Sequence, residues 1–271
     1  MRIPFSQVDA FASEPFRGNP AAVMPLARWL DDATLQKVAA ENNLSETAFL
    51  VPDATDDAGS GEAAFELRWF TPASEVVLCG HATLASGHVV LSTDPSLNRV
   101  RFRTRRSGEL SVERQGAGYA MALPTWRAEA RPLPAIVAAL GLEGRVRETR
   151  WHPNEYGLVV VDDEATVRGL DPDFRALGRE GDVLTVVTAP GSDTDIVSRA
   201  FAPGCGIDED PVTGSAHAVL VPYWAERLGR DTMTAYQASA RGGRLTCELA
   251  GDRVVLGGAC VTVIEGTFLL P

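Results

Sequence analysis

The chain has 271 residues, of which 25 are basic and 36 acidic, so its net charge is −11. Such an acidic chain repels phosphate backbones, which argues against a nucleic-acid partner. No apolar stretch reaches the ~18 residues of a membrane-spanning helix, and Met1–Phe5 lacks the apolar region of a secretory signal, so we expect no membrane association and a cytoplasmic location.

Hydrophobic periodicity predicts more strands than helices. Helices are predicted at Leu30–Glu41, His81–Leu91, Pro134–Leu140 and Ser215–Leu228. Strands are predicted at Phe5–Phe11, Thr47–Val51, Phe65–Phe70, Val100–Thr104, Tyr119–Leu123, Leu158–Val161, Val183–Thr188, Asp195–Phe201, Arg244–Leu249 and Cys260–Ile264. Asp53–Gly61 is predicted to be a hairpin loop. This succession favours an α+β protein with curved sheets around a few helices.

A Phe-x-Pro segment, a glycine and an apolar helix recur in the two halves of the chain. Phe70 precedes Gly80 by ten residues, and Phe201 precedes Gly214 by thirteen. The repetition indicates two similar domains, although such short signals can also recur by chance. We place the crossover near Gly116–Leu123, with residues 1–117 and 258–271 in the N-terminal domain and residues 118–257 in the C-terminal one.

Both glycines open a predicted helix, where free backbone N–H groups and the helix dipole favour an anion. The two turns are therefore candidate binding sites for a small carboxylate or an enolate-like transition state. Ser215 is expected to cap its own helix or to donate to the ligand. The alternative is that both turns are only strand–helix connections with glycine for steric reasons.

Acid–base candidates lie beside these turns. Glu46 stands where a helix gives way to an apolar strand, and burial of a carboxylate favours its protonated form, which suits general acid–base work. His81 follows Gly80 and can exchange or orient a proton. Asp210 ends the run that begins at Asp208 and directly precedes the second turn. Exposed, solvated carboxylates are the alternative interpretation of Glu46 and of the acidic run.

The residues that metal or organic cofactors require are scarce. Lys37, the one lysine, lies outside any Gly-Lys-Ser/Thr motif and on a helix predicted to be exposed, which argues against P-loop and pyridoxal-phosphate chemistry. The four cysteines form no Cys-x-x-Cys pair, and the chain has no His-Glu-x-x-His motif. We therefore predict no disulfide framework, no metal and no organic cofactor.

Several segments together resemble the PhzF-like phenazine-biosynthesis family. In chain order they are Val8–Phe11 with Phe16–Val23, Asn43–Phe49, Cys79–Thr83, Glu209–Ala216 and Arg241–Gly243. The resemblance runs from residue 3 to residue 267 in the family's order. Each motif is weak alone, and their ordered combination is specific.

The resemblance implies the diaminopimelate-epimerase-like fold: two pseudo-symmetric α+β domains, each a mixed barrel-like sheet around a central helix, with the active site in the cleft between them. It further implies a cofactor-independent isomerase that acts on a small carboxylic acid and forms a homodimer. The family's best-understood reaction is the isomerisation of trans-2,3-dihydro-3-hydroxyanthranilate. Glu46 would move the proton between carbons, and His81 and Asp210 would orient the substrate or share the proton. The implied substrate-binding residues are Asn19, Gly80, Gly214 and Ser215.

Two other functions stay open. Related epimerases place a cysteine before each glycine, whereas this chain has Cys79 before Gly80 but Thr213 before Gly214. A hydroxyl is too weak an acid to serve as the second base, so a two-thiol racemase is disfavoured. A one-thiol epimerase or dehydratase that uses Cys79 is the first alternative, although Cys79 also suits a packing role. A non-enzymatic carboxylate-binding protein is the second.

Overall fold

A computed structural model describes residues 1–54 and 61–270, and these form two compact units. Unit 1 comprises Met1–Ala122 and Gly257–Pro271, and unit 2 comprises Leu123–Leu256. The predicted loop over Asp53–Gly61 falls largely on residues 55–60, outside the described part of the chain. None of the helices within the described residues is long and apolar enough to span a membrane.

The strands β1 to β18 are, in chain order, Arg2–Ala10, Asn19–Pro25, Glu46–Pro52, Glu62–Phe70, Glu75–Val76, Arg99–Thr104, Glu109–Gln115, Gly118–Pro124, Glu129–Ala130, Val146–His152, Tyr156–Val161, Leu184–Pro190, Ile196–Ala202, Ile207–Asp210, Thr232–Gln237, Gly243–Ala250, Arg253–Gly258 and Cys260–Leu269. The helices α1 to α6 are Asp32–Asn42, Gly80–Thr93, Pro134–Ala139, Glu164–Arg168, Phe174–Gly178 and Gly214–Leu228. A short 3₁₀ turn covers Pro203–Cys205.

The two units repeat one pattern of strand pairing. In unit 1, β1 pairs antiparallel with β2, β2 parallel with β3, β3 antiparallel with β4, β4 parallel with β6, and β6 antiparallel with β7. In unit 2, the same order of antiparallel and parallel pairs runs through β10, β11, β12, β13, β15 and β16. The repetition predicted from the two Phe-x-Pro segments is therefore present in the sheet topology.

Each unit has one long apolar helix that follows its Phe-x-Pro segment. In unit 1, α2 packs against β1, β2, β3, β6 and β7. Its residues are buried around most of the circumference, as expected of a helix inside a sheet rather than on its surface. A Cβ on Gly87 would lie 2.4 Å from the Val112 side chain, so glycine lets α2 approach β7 closely. In unit 2, α6 is equally buried from Gly214 to Ala225 and packs on β15 and β16.

A second apolar layer lies around the shorter helices. In unit 1, Leu35, Val38 and Ala39 of α1 join Met24 and Phe49 of the sheet in a buried cluster. In unit 2, α3, α4 and α5 contribute to a separate cluster that includes Val159 and Val187 of β11 and β12. The curved sheets around a few helices that the sequence predicts are confirmed.

The structure corrects several element boundaries. The strand predicted to end at Phe11 ends at Ala10, because Phe11 has a positive φ of 58° that strand residues do not adopt. The helix predicted from Leu30 starts at Asp32, because Asp31 is its N-cap and accepts a hydrogen bond from the Thr34 N–H. The strand predicted to end at Ile264 continues to Leu269 and pairs with β1 along its length.

Candidate functional site

Glu46 is the first residue of β3, in unit 1. Helix α1 ends at Asn42, and Asn43 caps it in the left-handed conformation with φ 48°. The chain then enters β3, where Glu46 pairs with Ala21 of the parallel strand β2. Only 12% of the Glu46 side chain is exposed, while the four residues after it are buried. The carboxylate therefore stands at the edge of the apolar core, as the sequence predicts.

The start of α2 brings two further reactive groups to this carboxylate. His81 Nε2 lies 3.1 Å from Glu46 Oε2. The Cys79 Sγ lies 3.5 Å from His81 Nδ1 and 4.0 Å from Nε2. Cys79 is the N-cap residue of α2, in an extended conformation, and its side chain makes no capping hydrogen bond. A carboxylate, an imidazole and a thiol thus form one buried cluster.

This environment changes the acidity of two of the groups. Burial, together with the charge of Glu46, raises the pKa of Cys79 to about 11. Burial works against the charged imidazolium, yet the neighbouring Cys79 and Glu46 raise the pKa of His81 well above 6.5. The Glu46 carboxylate beside it therefore favours the imidazolium form of His81, and burial favours the thiol form of Cys79.

The turn before α6, in unit 2, is built from hydrogen bonds. The Gln237 side chain, fully buried at the end of β15, accepts from the Thr213 N–H at 2.8 Å and donates to the Asp210 backbone carbonyl at 2.7 Å. Its amide nitrogen also lies 3.0 Å from the Thr213 Oγ1, and that hydroxyl donates to the Asp210 carboxylate. Gln237 thereby fixes the loop that carries Asp210 and leads to Gly214.

His217 lies one turn into α6. Its Nδ1 is 2.8 Å from the Thr213 carbonyl oxygen, and its ring is fully buried. Burial lowers the pKa of His217 to about 4, so the ring is neutral at pH 7. Gly214 is buried and Ser215 is half-buried at the start of the helix.

Asn19 occupies the first position of β2, two residues before Ala21, and is fully buried. The preceding Gly18 has φ 63°, and a Cβ there would lie 2.1 Å from the Ala10 carbonyl oxygen. Only glycine fits this return of the chain from β1 into β2. The tight turn at Gly18 therefore fixes the position of the buried Asn19 side chain within unit 1.

The structure thus brings Glu46 and His81 into contact and adds Cys79 to the pair. In unit 2, the acidic run is ordered rather than freely solvated: Arg199 binds both carboxylate oxygens of Glu209, at 2.7 and 2.9 Å. Only Asp208 is exposed. The roles assigned to the predicted site residues remain predictions; these residues are Asn19, Glu46, Gly80, His81, Asp210, Gly214 and Ser215.

Sequence reasoning missed Gln237. It belongs to a strand that the sequence analysis did not predict, and its hydrogen-bond partners lie 24 to 27 residues earlier in the chain. The available signal is weak: Met233, Ala235 and Gln237 are buried at alternate positions of β15, so a polar residue stands at a core-facing position.

Two repeated units, each a mixed sheet with a buried helix, define a protein of diaminopimelate-epimerase-like fold. A hydroxyproline epimerase from Agrobacterium vitis has this fold in common with the chain, with a TM-score of 0.63 at 10% identity over 98% of this chain and 92% of the epimerase.

Closer similarities identify the family. The family model described as "Phenazine biosynthesis-like protein" matches residues 8–266. An uncharacterized isomerase of Pseudomonas aeruginosa is 49% identical over the full length of both chains. The crystal structure of a PhzF-family protein from Enterococcus faecalis has a TM-score of 0.89 and 44% identity, with both chains fully covered. The chain belongs to the phenazine biosynthesis-like family, and its similarity to named isomerases supports an isomerase.

Proposed function

We propose that the protein is an isomerase that moves a proton between carbon atoms of a small carboxylic acid, with Glu46 as the general acid–base. The observation that carries the proposal is the buried contact of 3.1 Å between Glu46 Oε2 and His81 Nε2. A carboxylate that takes a proton from carbon and returns it elsewhere needs a partner that stabilises its charged form. The protonated His81 is such a partner.

Burial of the pair favours this chemistry. The Glu46 side chain is 12% exposed and that of His81 is 5% exposed, so the pair works with little surrounding water. Glu46 can hold the substrate proton until it is returned at another carbon, and the exposed part of its side chain lets that proton exchange with solvent in between. Neither step calls for a cofactor.

The substrate carboxylate needs hydrogen-bond donors whose charge state does not change near neutral pH. The backbone N–H groups at Gly214, together with the Ser215 hydroxyl, suit this purpose because they lie at the positive end of the 15-residue helix α6. Asp210 and Asn19 are proposed to orient the polar groups of the substrate, and Gly80 to offer the corresponding donors at the start of α2. That both turns serve one substrate molecule in a cleft between the units stays a prediction.

The test is NMR in heavy water with a panel of small unsaturated or hydroxylated carboxylic acids, including trans-2,3-dihydro-3-hydroxyanthranilate. We expect enzyme-dependent deuteration at carbon for at least one acid. Glu46→Gln keeps the shape and a hydrogen-bonding group but cannot transfer the proton, so it should abolish exchange. Cys79→Ala should retain it. Binding of an acid with no exchange by the wild type would instead identify a carboxylate-binding protein.

A one-thiol mechanism is the second candidate, because the Cys79 Sγ lies 3.5 Å from His81 Nδ1, within reach of a base. Its weakness is the thiol pKa of about 11, which leaves little thiolate at neutral pH. The same two variants separate the candidates: exchange that survives Glu46→Gln and is lost in Cys79→Ala would replace the first proposal with the second.

A further inference from the structure

The cluster at the start of α2 contains a donor set that the proposed isomerisation does not use in full. Cys79 has no role in that reaction, yet its sulfur, a ring nitrogen of His81 and a carboxylate oxygen of Glu46 all lie within 4.8 Å of one another. We propose that these three residues form a binding site for a zinc-like divalent cation.

The distances suit one tetrahedral ion. Donors bonded to the same zinc at about 2.0 to 2.3 Å lie about 3.4 to 3.6 Å apart. His81 Nε2 is 3.1 Å from Glu46 Oε2 and 4.0 Å from the Cys79 Sγ. The Cys79 Sγ lies within 4.8 Å of the Glu46 carboxylate oxygen. Side-chain movements of up to about 1 Å therefore bring the three donors around one ion, with a fourth position left for water or an exogenous ligand.

The chemistry of the donors selects the metal class. A thiolate and an imidazole favour zinc and similar transition metals over Mg²⁺ and Ca²⁺, which prefer oxygen ligands. An ion of charge +2 with one thiolate, one neutral imidazole and one carboxylate has no net charge. The buried site therefore need not hold an uncompensated charge, and the two anionic ligands offset the unfavourable positive end of the α2 dipole.

The backbone presents these ligands from rigid elements. Cys79 and His81 flank Gly80 at the helix start, where the Thr83 hydroxyl donates to the Cys79 carbonyl oxygen at 2.6 Å. Glu46 comes from β3, a strand that packs against α2. An ion held there would occupy the carboxylate oxygen nearest His81. If the proposed function holds, the ion would compete with the substrate for Glu46. It would then be an inhibitor and not a cofactor.

Metal titration tests the site without any substrate, so its result is independent of the isomerase proposal. We expect calorimetry to show one Zn²⁺ per chain. Co²⁺ should give the intense d–d bands of a tetrahedral site together with a thiolate-to-metal charge-transfer band. Cys79→Ala and His81→Gln should each weaken Zn²⁺ binding by at least about 100-fold, more than the loss of an outer-shell partner costs.

Cys205→Ser is the matched control, because Cys205 is an exposed free cysteine; it should bind Zn²⁺ like the wild type. Circular dichroism of each variant shows whether a loss of binding comes from unfolding. The wild-type Co²⁺ spectrum needs no variant: an octahedral spectrum without charge transfer would overturn the proposal. Binding that Cys205→Ser removes, or that Cys79→Ala leaves unchanged, would overturn it as well.

Discussion

The starts of α2 and α6 have the same backbone design. Cys79 and Thr213 are both extended N-cap residues whose side chains do not cap the helix, and a glycine follows each. Four residues after each cap, a buried side chain bonds to the cap carbonyl: the Thr83 hydroxyl at 2.6 Å and the His217 Nδ1 at 2.8 Å. In both helices, the cap side chain therefore leaves the backbone N–H groups of the first turn available to another partner.

The side chains around the two turns differ. In unit 1, His81 contacts Glu46 and the pKa of His81 is raised, so the turn holds two ionisable side chains in contact. In unit 2, Gln237 fixes the turn with neutral hydrogen bonds, and the pKa of His217 is lowered to about 4. On the proposed function, the two copies of the repeat therefore have different tasks: the turn of unit 1 transfers the proton and the turn of unit 2 provides hydrogen bonds.

His81→Asn tests the assignment of proton transfer to unit 1 and should have the largest effect. Asparagine cannot carry a positive charge and is too short to reach Glu46 as the His81 Nε2 does, so Glu46 loses the partner that stabilises its charged form. We expect kcat for deuterium exchange to fall by about 10²- to 10⁴-fold, the range of general acid–base contributions. NMR time courses at saturating concentrations of the acid found in the heavy-water screen measure kcat. An unchanged rate would contradict the division between the units.

Gln237→Leu tests the hydrogen-bonded frame of unit 2. It leaves the Thr213 N–H and the Asp210 carbonyl without the partners that Gln237 supplies, and buried unsatisfied groups cost about 1 to 3 kcal/mol each. We expect the free energy of unfolding in urea to fall by about 3 kcal/mol. Gln237→Glu, which keeps the acceptor but loses the donor toward Asp210, should destabilise the protein too. Near-wild-type stability of both variants would contradict the role of Gln237.

His217→Gln tests the electrostatic contrast between the two histidines. Between its unfolded pKa of 6.5 and its folded pKa of about 4, His217 binds a proton more readily in the unfolded chain. Its stabilising contribution is therefore present above pH 6.5 and is lost as the pH falls toward 4. At pH 5, this linkage removes about 2 kcal/mol of wild-type stability.

The variant lacks this titration, so its free energy of unfolding should decline less than that of the wild type between pH 8 and pH 5. Urea titrations at each pH give the difference. His152→Gln is a useful control, because burial lowers the pKa of His152 too, but its ring is only half-buried. A wild type and a His217→Gln variant with parallel pH dependence would contradict the lowered pKa.

The parts of the fold that the sequence predicts are those with local signals. A glycine followed by an apolar run predicts each of the helices that begin at Gly80 and Gly214. The position of Glu46 between a helix and an apolar strand predicts a partly buried carboxylate. The two five-residue helices, Glu164–Arg168 and Phe174–Gly178, are too short for helical periodicity to show. Strand β10 carries three charged residues, Arg147, Glu148 and Arg150, and is half-buried along nearly its whole length, so it lacks the alternation of a core strand.

The missed parts of the site depend on contacts between distant segments. Cys79 and His81 are neighbours in sequence, but Glu46 lies 33 residues before Cys79 (79 − 46), so no local motif indicates a cluster of three potential ligands. The contacts of Gln237 cross a similar distance. Patterns within one segment of the sequence predict the two turns and their glycines. The contact that shifts a pKa, such as that of Glu46 with His81, forms only when tertiary packing brings distant segments together.

Ser215→Ala completes the comparison, because Ser215 stands after Gly214 as His81 stands after Gly80. If unit 2 contributes only hydrogen bonds, the loss of one hydroxyl that donates to the substrate carboxylate should cost about 1.5 to 3 kcal/mol of substrate binding, or about 13- to 160-fold. The effect should fall on KM for the exchange reaction and leave kcat nearly unchanged, in contrast to His81→Asn. Ser215→Thr, which keeps the hydroxyl, should restore KM. A fall in kcat as large as that of His81→Asn would place proton transfer in unit 2 as well, and the division of labour between the turns would have to be abandoned.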